Sequence, residues 1–208
     1  MPGEPMTSLF HLMPQPSKLV TIEQTLNAYR TGFFPMAETE HVVLWHSPDP
    51  RAIIPIDRAH IARSVRVLIK KGVFTVRINC DFENVIQSCA DRLHTWISGD
   101  LIRLYTKLHQ LGYAHSVEAW HEGQLVGGLY GVAIGGAFFG ESMFSRVSNA
   151  SKVCFAALIA RLRERNFVLL DSQYANPFTL SLGAIEIPRT QYLAKLTEAL
   201  AAPCKFWP

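Results

Sequence analysis

The spacing of apolar residues changes along the chain, from a mostly helical period before residue 113 to strand alternation after it. From the cap Thr21, "TIEQTLNAYR" puts Ile22, Leu26 and Tyr29 on one face of a helix that Gly32 and Pro35 end. The three prolines of "LWHSPDPRAIIP" predict extended chain and turns. In "DRAHIARSVRVLIKKG", Ile61, Val65 and Leu68 fall on one helical face, with Arg63, Arg66 and Lys70 opposite. That pattern predicts a buried helix with a basic stripe. "FTVRINC" alternates as a strand, and "FENVIQSCADRL" and "GDLIRLYTKLHQLG" read as helices with Trp96 in the loop between them.

After "GYAHSVEAW" come "LVGGLYGVAI" and "AFFGESMFS", joined by turns at "HEGQ" and Gly135-Gly136, which predicts a three-stranded antiparallel meander. A helix follows from an Asn149 cap to about Arg165, with Phe155, Leu158, Ile159 and Leu162 on one face. "FVLLDSQ" is an apolar strand whose end turns polar, and "TQYLAKLTEALAA" is a final helix. The expected class is α+β: a lead-in over residues 1–18, a mostly helical domain over 19–112 and a sheet-plus-helix domain over 113–208.

Composition narrows this little. The chain has 208 residues, 49% of them apolar, enough for one large core or two small ones. A net charge of +3 does not establish nucleic-acid binding, so the distribution of charge matters more than its total. Cys80, Cys89, Cys154 and Cys204 show neither a CxxC pair nor zinc-ligand spacing and read as buried thiols of a reducing compartment. The proline-rich start lacks the pattern of a signal peptide, and no run reaches the ~18 apolar residues of a membrane span. The expectation is a cytoplasmic protein.

"GGAFFGESMFSR" comes within one letter of a phosphate-binding loop, with Glu141 where lysine belongs. A glutamate there would repel phosphate, and both flanks read as strand, so a nucleotide site is not expected. Glu141 stands among Phe138, Phe139, Met143 and Phe144, where a carboxylate is costly unless paired or used. Asp171 and Gln173, two apart on a strand, share a face. Catalytic use and a structural hydrogen-bond network both fit these three residues. Eight histidines show no HExxH or other close ligand pair, so metal is not expected. No GxSxG elbow supports a serine hydrolase.

"VGGLYGVAIGGAFFGESMFSRVSNASK", "LLDSQ" and "SLGAIEIPR" closely resemble the leucyl/phenylalanyl-tRNA–protein transferase family. "AYRTGFFPM", "LWHSPDPR", "HTWISG" and "HSVEAW" are similar to its N-terminal blocks in the same order, so the likeness runs from about Tyr29 to Tyr192. The resemblance implies a C-terminal domain related to the GCN5-type N-acetyltransferase fold. It also implies transfer of leucine or phenylalanine, and less readily methionine, from Leu-tRNA or Phe-tRNA to the N-terminal arginine or lysine of an acceptor protein, marking it for N-degron proteolysis. No cofactor and no membrane partner are implied, and a monomer is expected.

By motif position the resemblance makes Asp171 and Gln173 catalytic, with Asp171 expected to orient and polarise the Gln173 amide. Glu141, at the pocket edge, is counted with them as a carboxylate that receives a cationic amine, the donor's or the acceptor's. Leu129, Phe138, Met143, Leu158, Leu170, Trp96, Met36 and Asn176 would then bind substrate, and Arg63, Arg66 and Lys70 would track tRNA phosphates. Family members often carry tryptophan at the positions of Met36 and His46. Two other classes remain as rivals. An acyl-CoA-dependent small-molecule N-acyltransferase of related fold would want a pyrophosphate site near Arg146 and Lys152. An RNA-binding module would use the basic stripe but leave Glu141 and Asp171 unexplained.

Overall fold

The computed structural model describes residues 21–207, so the expected lead-in lies outside the described residues. Helix α1 (Ile22–Arg30) starts where the pattern put it, because Thr21 and Gln24 close a reciprocal capping box. The next stretch is extended with turns, as its prolines suggested. It folds into an antiparallel pair, β1 (Phe34–Thr39) and β2 (Val42–His46), followed by the short, fully buried β3 (Arg51–Ile53).

Helix α2 (Arg63–Lys70) is shorter than its pattern and sits at the surface. Val65 is its one buried residue, and Val67 and Ile69 are exposed. Eight residues make about two turns, too few to bury the whole apolar face against one neighbour. The basic side chains Arg63, Arg66 and Lys70 are all exposed.

Strand β4 (Thr75–Ile78), helices α3 (Phe82–Ala90) and α4 (Gly99–Gln110), and the meander β5 (Ala114–His121), β6 (Gln124–Ile134) and β7 (Ala137–Ser145) follow as the periodicity predicts. Helix α5 (Ala150–Glu164) leads to β8 (Leu169–Gln173). The chain ends with α6 (Pro177–Ser181), β9 (Ile185–Ile187) and α7 (Arg189–Ala201). Asn149 precedes α5 in the left-handed region and makes no side-chain cap, contrary to expectation.

Seven strands form one mixed sheet in the order β4-β5-β6-β7-β8-β3-β9. Among the described residues only β7 and β8 pair in parallel, the long connection between them being α5. The meander is present and extended at both edges. Because β4 and β3 precede residue 113 yet hydrogen-bond into this sheet, a division at 112 severs three of its strand pairings, β4 with β5 and β3 with both β8 and β9. The class is α+β.

Side chains alternate across the sheet into two cores. Tyr130, Phe139 and Leu169 face α1, α3, α4 and α7, while Leu129, Phe138 and Leu170 face α5. The buried Glu118 carboxylate of β5 holds the start of α3: Oε1 accepts from Cys80 N, Asp81 N and Ser116 Oγ, each at 2.8 Å, and Oε2 accepts from Trp120 Nε1 at 3.0 Å. Helix α3 is thereby fixed beside β7.

Gly131 has no room for a side chain: a Cβ there would meet Phe139 O at 2.3 Å and the Phe138 ring at 2.4 Å. Beside it the β6–β7 register shifts. Gly131 opposes Gly140, Tyr130 opposes Ser142, and Glu141 is left as the extra residue of a bulge. Gly131→Ala should destabilise the fold by about 1–3 kcal/mol through overpacking. Urea unfolding of the purified variant measures this, and an unchanged midpoint would contradict the close approach.

Candidate active site

Strands β7 and β8 pair only over Ala137–Phe139 opposite Leu169–Asp171, and β7 then runs on alone to Ser145. Strand β8 turns away at Gln173, whose backbone is left-handed at φ 65°. The parting strands open a cleft of about 750 Å³. One lobe, on the α5 side, is apolar and is lined by Ile54, Leu129, Met143, Phe155, Leu158 and Leu170. The other, beside α3, is lined by Ser88, Asp91, Arg92, Tyr130 and Ser142. Glu141, Asp171 and Gln173 also line the cleft, where β7 and β8 diverge.

Asp171 is fully buried and fully engaged. Its Oδ1 accepts from Arg51 Nε at 3.0 Å and from the Gln173 backbone N–H at 2.8 Å, and its Oδ2 accepts from Arg51 Nη2 at 2.6 Å and from Tyr192 Oη at 2.7 Å. Arg51 is 1% exposed, lies between the rings of Phe34 and Tyr192 and donates through Nη1 to Gly32 O at 3.0 Å. Asp171 therefore holds the backbone of Gln173 and makes no hydrogen bond to its carboxamide, so direct polarisation of that amide, as expected from the motif, does not describe the geometry.

The carboxamide belongs to Glu141 instead. Gln173 Nε2 donates to Glu141 Oε2 at 3.1 Å, and Gln173 Oε1 makes no hydrogen bond among the described residues. Tyr29 Oη donates to Glu141 Oε1 at 2.6 Å, and Tyr105 Oη lies 3.1 Å from Oε2. Burial pushes the Glu141 carboxyl up to about 7, although the bonds from Tyr29, Gln173 and Tyr105 pull the other way by favouring the carboxylate. Glu141 is thus poised between acid and base near neutrality.

Leu129, Met143, Leu158, Leu170, Trp96, Met36 and Asn176 all line the cleft. Asn176 is also the N-cap of α6, its Oδ1 accepting from Phe178 N and Thr179 N. Ala37 N donates to Trp96 O, tying β1 to the loop that carries the tryptophan. Phe138 does not reach the cleft: it shares the α5 core with the lobe residues, but it sits where β7 is still paired to β8 and is fully buried beside Phe206. His46 stays outside as well, stacked on Phe34 and bonded to the cleft residue Tyr174. Arg146, considered for a pyrophosphate, is held by Ser88 Oγ and Leu125 O. Arg63, Arg66 and Lys70 lie apart from the cleft on α2.

Sequence reasoning missed Arg51, Tyr105 and Tyr192 and treated Tyr29 only as an apolar helix position. A charged residue entering the apolar run "RAII" was the available signal for Arg51. The tyrosines look like ordinary core.

Residues 53–197 match the family model described as leucyl/phenylalanyl-tRNA protein transferase, and residues 20–49 match the model of its N-terminal domain. Curated relatives named leucyl/phenylalanyl-tRNA–protein transferase include one from Gloeobacter violaceus, 52% identical over 90% of this chain and 97% of its own. Another, from Rubrobacter xylanophilus, is 52% identical over 87% of this chain and 95% of its own. Among solved structures, a GCN5-related N-acetyltransferase-like protein from Streptococcus suis is similar with a TM-score of 0.43 at 18% identity, over 67% of this chain and 58% of that one.

Arg51→Met leaves Asp171 buried without its cation and should cost about 3–5 kcal/mol of stability. Chemical denaturation tests this, and a loss below about 1 kcal/mol would show that the pair is dispensable.

Proposed function

Because this chain belongs to the leucyl/phenylalanyl-tRNA–protein transferase family of aminoacyltransferases, we propose that it moves leucine or phenylalanine, and less readily methionine, from charged tRNA to the N-terminal arginine or lysine of acceptor proteins. The products then enter N-degron proteolysis. One observation carries the chemical part of this reading: a cleft-lining glutamine held at its backbone and at its amide nitrogen, whose amide oxygen makes no hydrogen bond among the described residues. Asp171 holds the Gln173 backbone and Glu141 holds Gln173 Nε2.

An aminoacyl ester is already activated, so aminolysis needs a neutral amine near the carbonyl carbon and a partner for its proton. Gln173 Oε1 accepts a hydrogen bond from the attacking amine and orients its lone pair. The ester carbon–oxygen bond breaks as the amide bond forms, and the proton lost by the amine ends on the released ribose hydroxyl. The donor side chain fills the lobe of Leu129, Met143, Phe155, Leu158 and Leu170. Selection there works by shape, since one methylene is worth only about 1–3 kcal/mol and rejection of branching at Cβ needs rigid walls. Met143, an unbranched and adaptable side chain, accommodates both donors.

The tRNA end lies toward Met36, Trp96 and Asn176, with the indole offering a stacking face to the terminal base. Its phosphates run along Arg63, Arg66 and Lys70. Replacing these three with alanine should weaken tRNA binding for any charged tRNA and make its salt dependence shallower by about one unit of slope for each phosphate that is no longer neutralised. Binding isotherms at several salt concentrations measure this, and an unchanged slope removes α2 from the interface.

The decisive assay offers charged Leu-tRNA or Phe-tRNA and a protein beginning with arginine, with neither ATP nor coenzyme A. Transfer is expected in the wild type, and Gln173→Ala should slow the single turnover by about 10²-fold or more. No transfer from any charged tRNA would overturn the function. A near-normal rate in Gln173→Ala would overturn only the role of the carboxamide.

A further inference from the structure

The Oη atoms of Tyr29 and Tyr105 lie 2.7 Å apart. With the distances of 2.6 Å from Tyr29 to Glu141 Oε1 and 3.1 Å from Tyr105 to Glu141 Oε2, they close a triangle of three oxygen–oxygen pairs. All three lie within or close to hydrogen-bond range, and each requires one hydrogen. Two neutral tyrosines bring two. Both hydroxyls are buried, which holds their pKa values well above the ordinary range and keeps them neutral. The missing hydrogen can come only from a carboxylic acid.

We propose that Glu141 carries that third hydrogen, and that Tyr29 and Tyr105 are positioning residues that occupy it, so that Glu141 presents only an acceptor lone pair to Gln173. In the closed ring Tyr29 donates to Glu141 Oε1, the acid hydrogen on Oε2 goes to Tyr105, and Tyr105 donates to Tyr29. Gln173 Nε2 then donates to Oε2, and Oε1 is left for the cleft. When Glu141 ionises it has no hydrogen to give and again only accepts, so the amide keeps its orientation in both protonation states. An acid hydrogen that no tyrosine occupied would instead point at Gln173 Oε1, turn the amide over and present N–H groups to the attacking amine. The tyrosines thus protect the polarity of the site from the titration of its own carboxyl group.

Other groups around Glu141 bear on this balance. Asp171 of β8 raises its pKa, Arg51 of β3 and Tyr192 of α7 partner that aspartate, Tyr130 of β6 is a buried neutral hydroxyl, and Cys89 of α3 is held as a thiol by burial. None of these supplies a hydrogen to the triangle.

Either Tyr→Phe change leaves one oxygen–oxygen pair and, when Glu141 is protonated, two hydrogens. The surplus hydrogen then reaches Gln173. The inference rests on the reading of Gln173 as the amine's partner, so its test has one readout in transfer and one independent of it. Single-turnover rates of Tyr105→Phe, divided by wild-type rates at the same pH, should be constant at high pH. Below the pKa of Glu141 the ratio should fall about tenfold per pH unit, as expected for a single titrating group. Glu141→Gln, whose amide N–H would face Gln173, should be slow by the same factor at every pH.

Independently of activity, NMR of ¹³C-carboxyl-labelled glutamate, assigned by the signal missing in Glu141→Gln, should show the Glu141 midpoint moving up in Tyr105→Phe. When Glu141 is ionised Tyr105 donates to its Oε2, and losing that bond to a charge outweighs losing the neutral acid's bond to Tyr105, so the charged form is destabilised more. Tyr29→Phe should do the same and replaces Tyr105→Phe if that variant does not fold. A rate ratio independent of pH overturns the positioning role, and an unmoved Glu141 midpoint overturns the triangle. Absence of transfer in every variant and in the wild type overturns the reading of Gln173 while the NMR titration still decides the triangle.

Discussion

The buried ion pair between Arg51 and Asp171 is the constraint on which the site depends. Two charges removed from water are costly, and the cost is offset only when every donor and acceptor finds a partner. Here Arg51 reaches Asp171 through two nitrogens and Gly32 O through a third, while Asp171 also accepts from Tyr192 and from the Gln173 backbone. The turn after α1, strands β3 and β8, and helix α7 are therefore tied to one point. Without that tie there is no evident reason for β8 to end in a glutamine at positive φ, a conformation that few side chains adopt freely.

From that fixed point the chemistry is built outward. The bulge in β7 frees Glu141 from the strand register, and two helices that share no sequence neighbourhood, α1 and α4, supply the hydroxyls that receive it. Asp171 and Glu141 divide the work on Gln173, one holding its backbone and the other its carboxamide. The apolar lobe is formed where β7 and β8 part in the middle of the sheet, on the face toward α5, so the same side chains that would be core elsewhere become walls. Family membership gives the class of reaction, and the geometry leaves the Gln173 amide oxygen without a hydrogen bond among the described residues.

Much of the fold was legible in the chain because it rests on local periodicity. Helix α1, the meander β5 to β7 and helix α5 follow from residues that are neighbours in sequence, and the structure has them within a residue or two. What was hidden depends on distant partners. Strand β3 is three residues long, and nothing local says that it inserts between β8 and β9. Arg51 is 120 positions from Asp171, and Tyr29 is 112 from Glu141. The motif brought Asp171, Gln173 and Glu141 into view without their wiring. Phe138 shows the limit of position alone: it faces the same core as the cleft residues Leu129, Leu158 and Leu170, but Phe206 packs against it. The basic stripe on α2 was read correctly as exposed charge but placed on a helix expected to be more deeply buried.

The most direct measurement is a crystal structure with leucyl-adenosine in which the ester is replaced by a stable amide. The account predicts the leucine side chain between Met143 and Leu158, adenine near Trp96, and the Gln173 oxygen facing the approach to the acyl carbon with its nitrogen still on Glu141. A leucine side chain bound in the polar lobe beside α3, or a Gln173 carboxamide turned away from the acyl group, would contradict it.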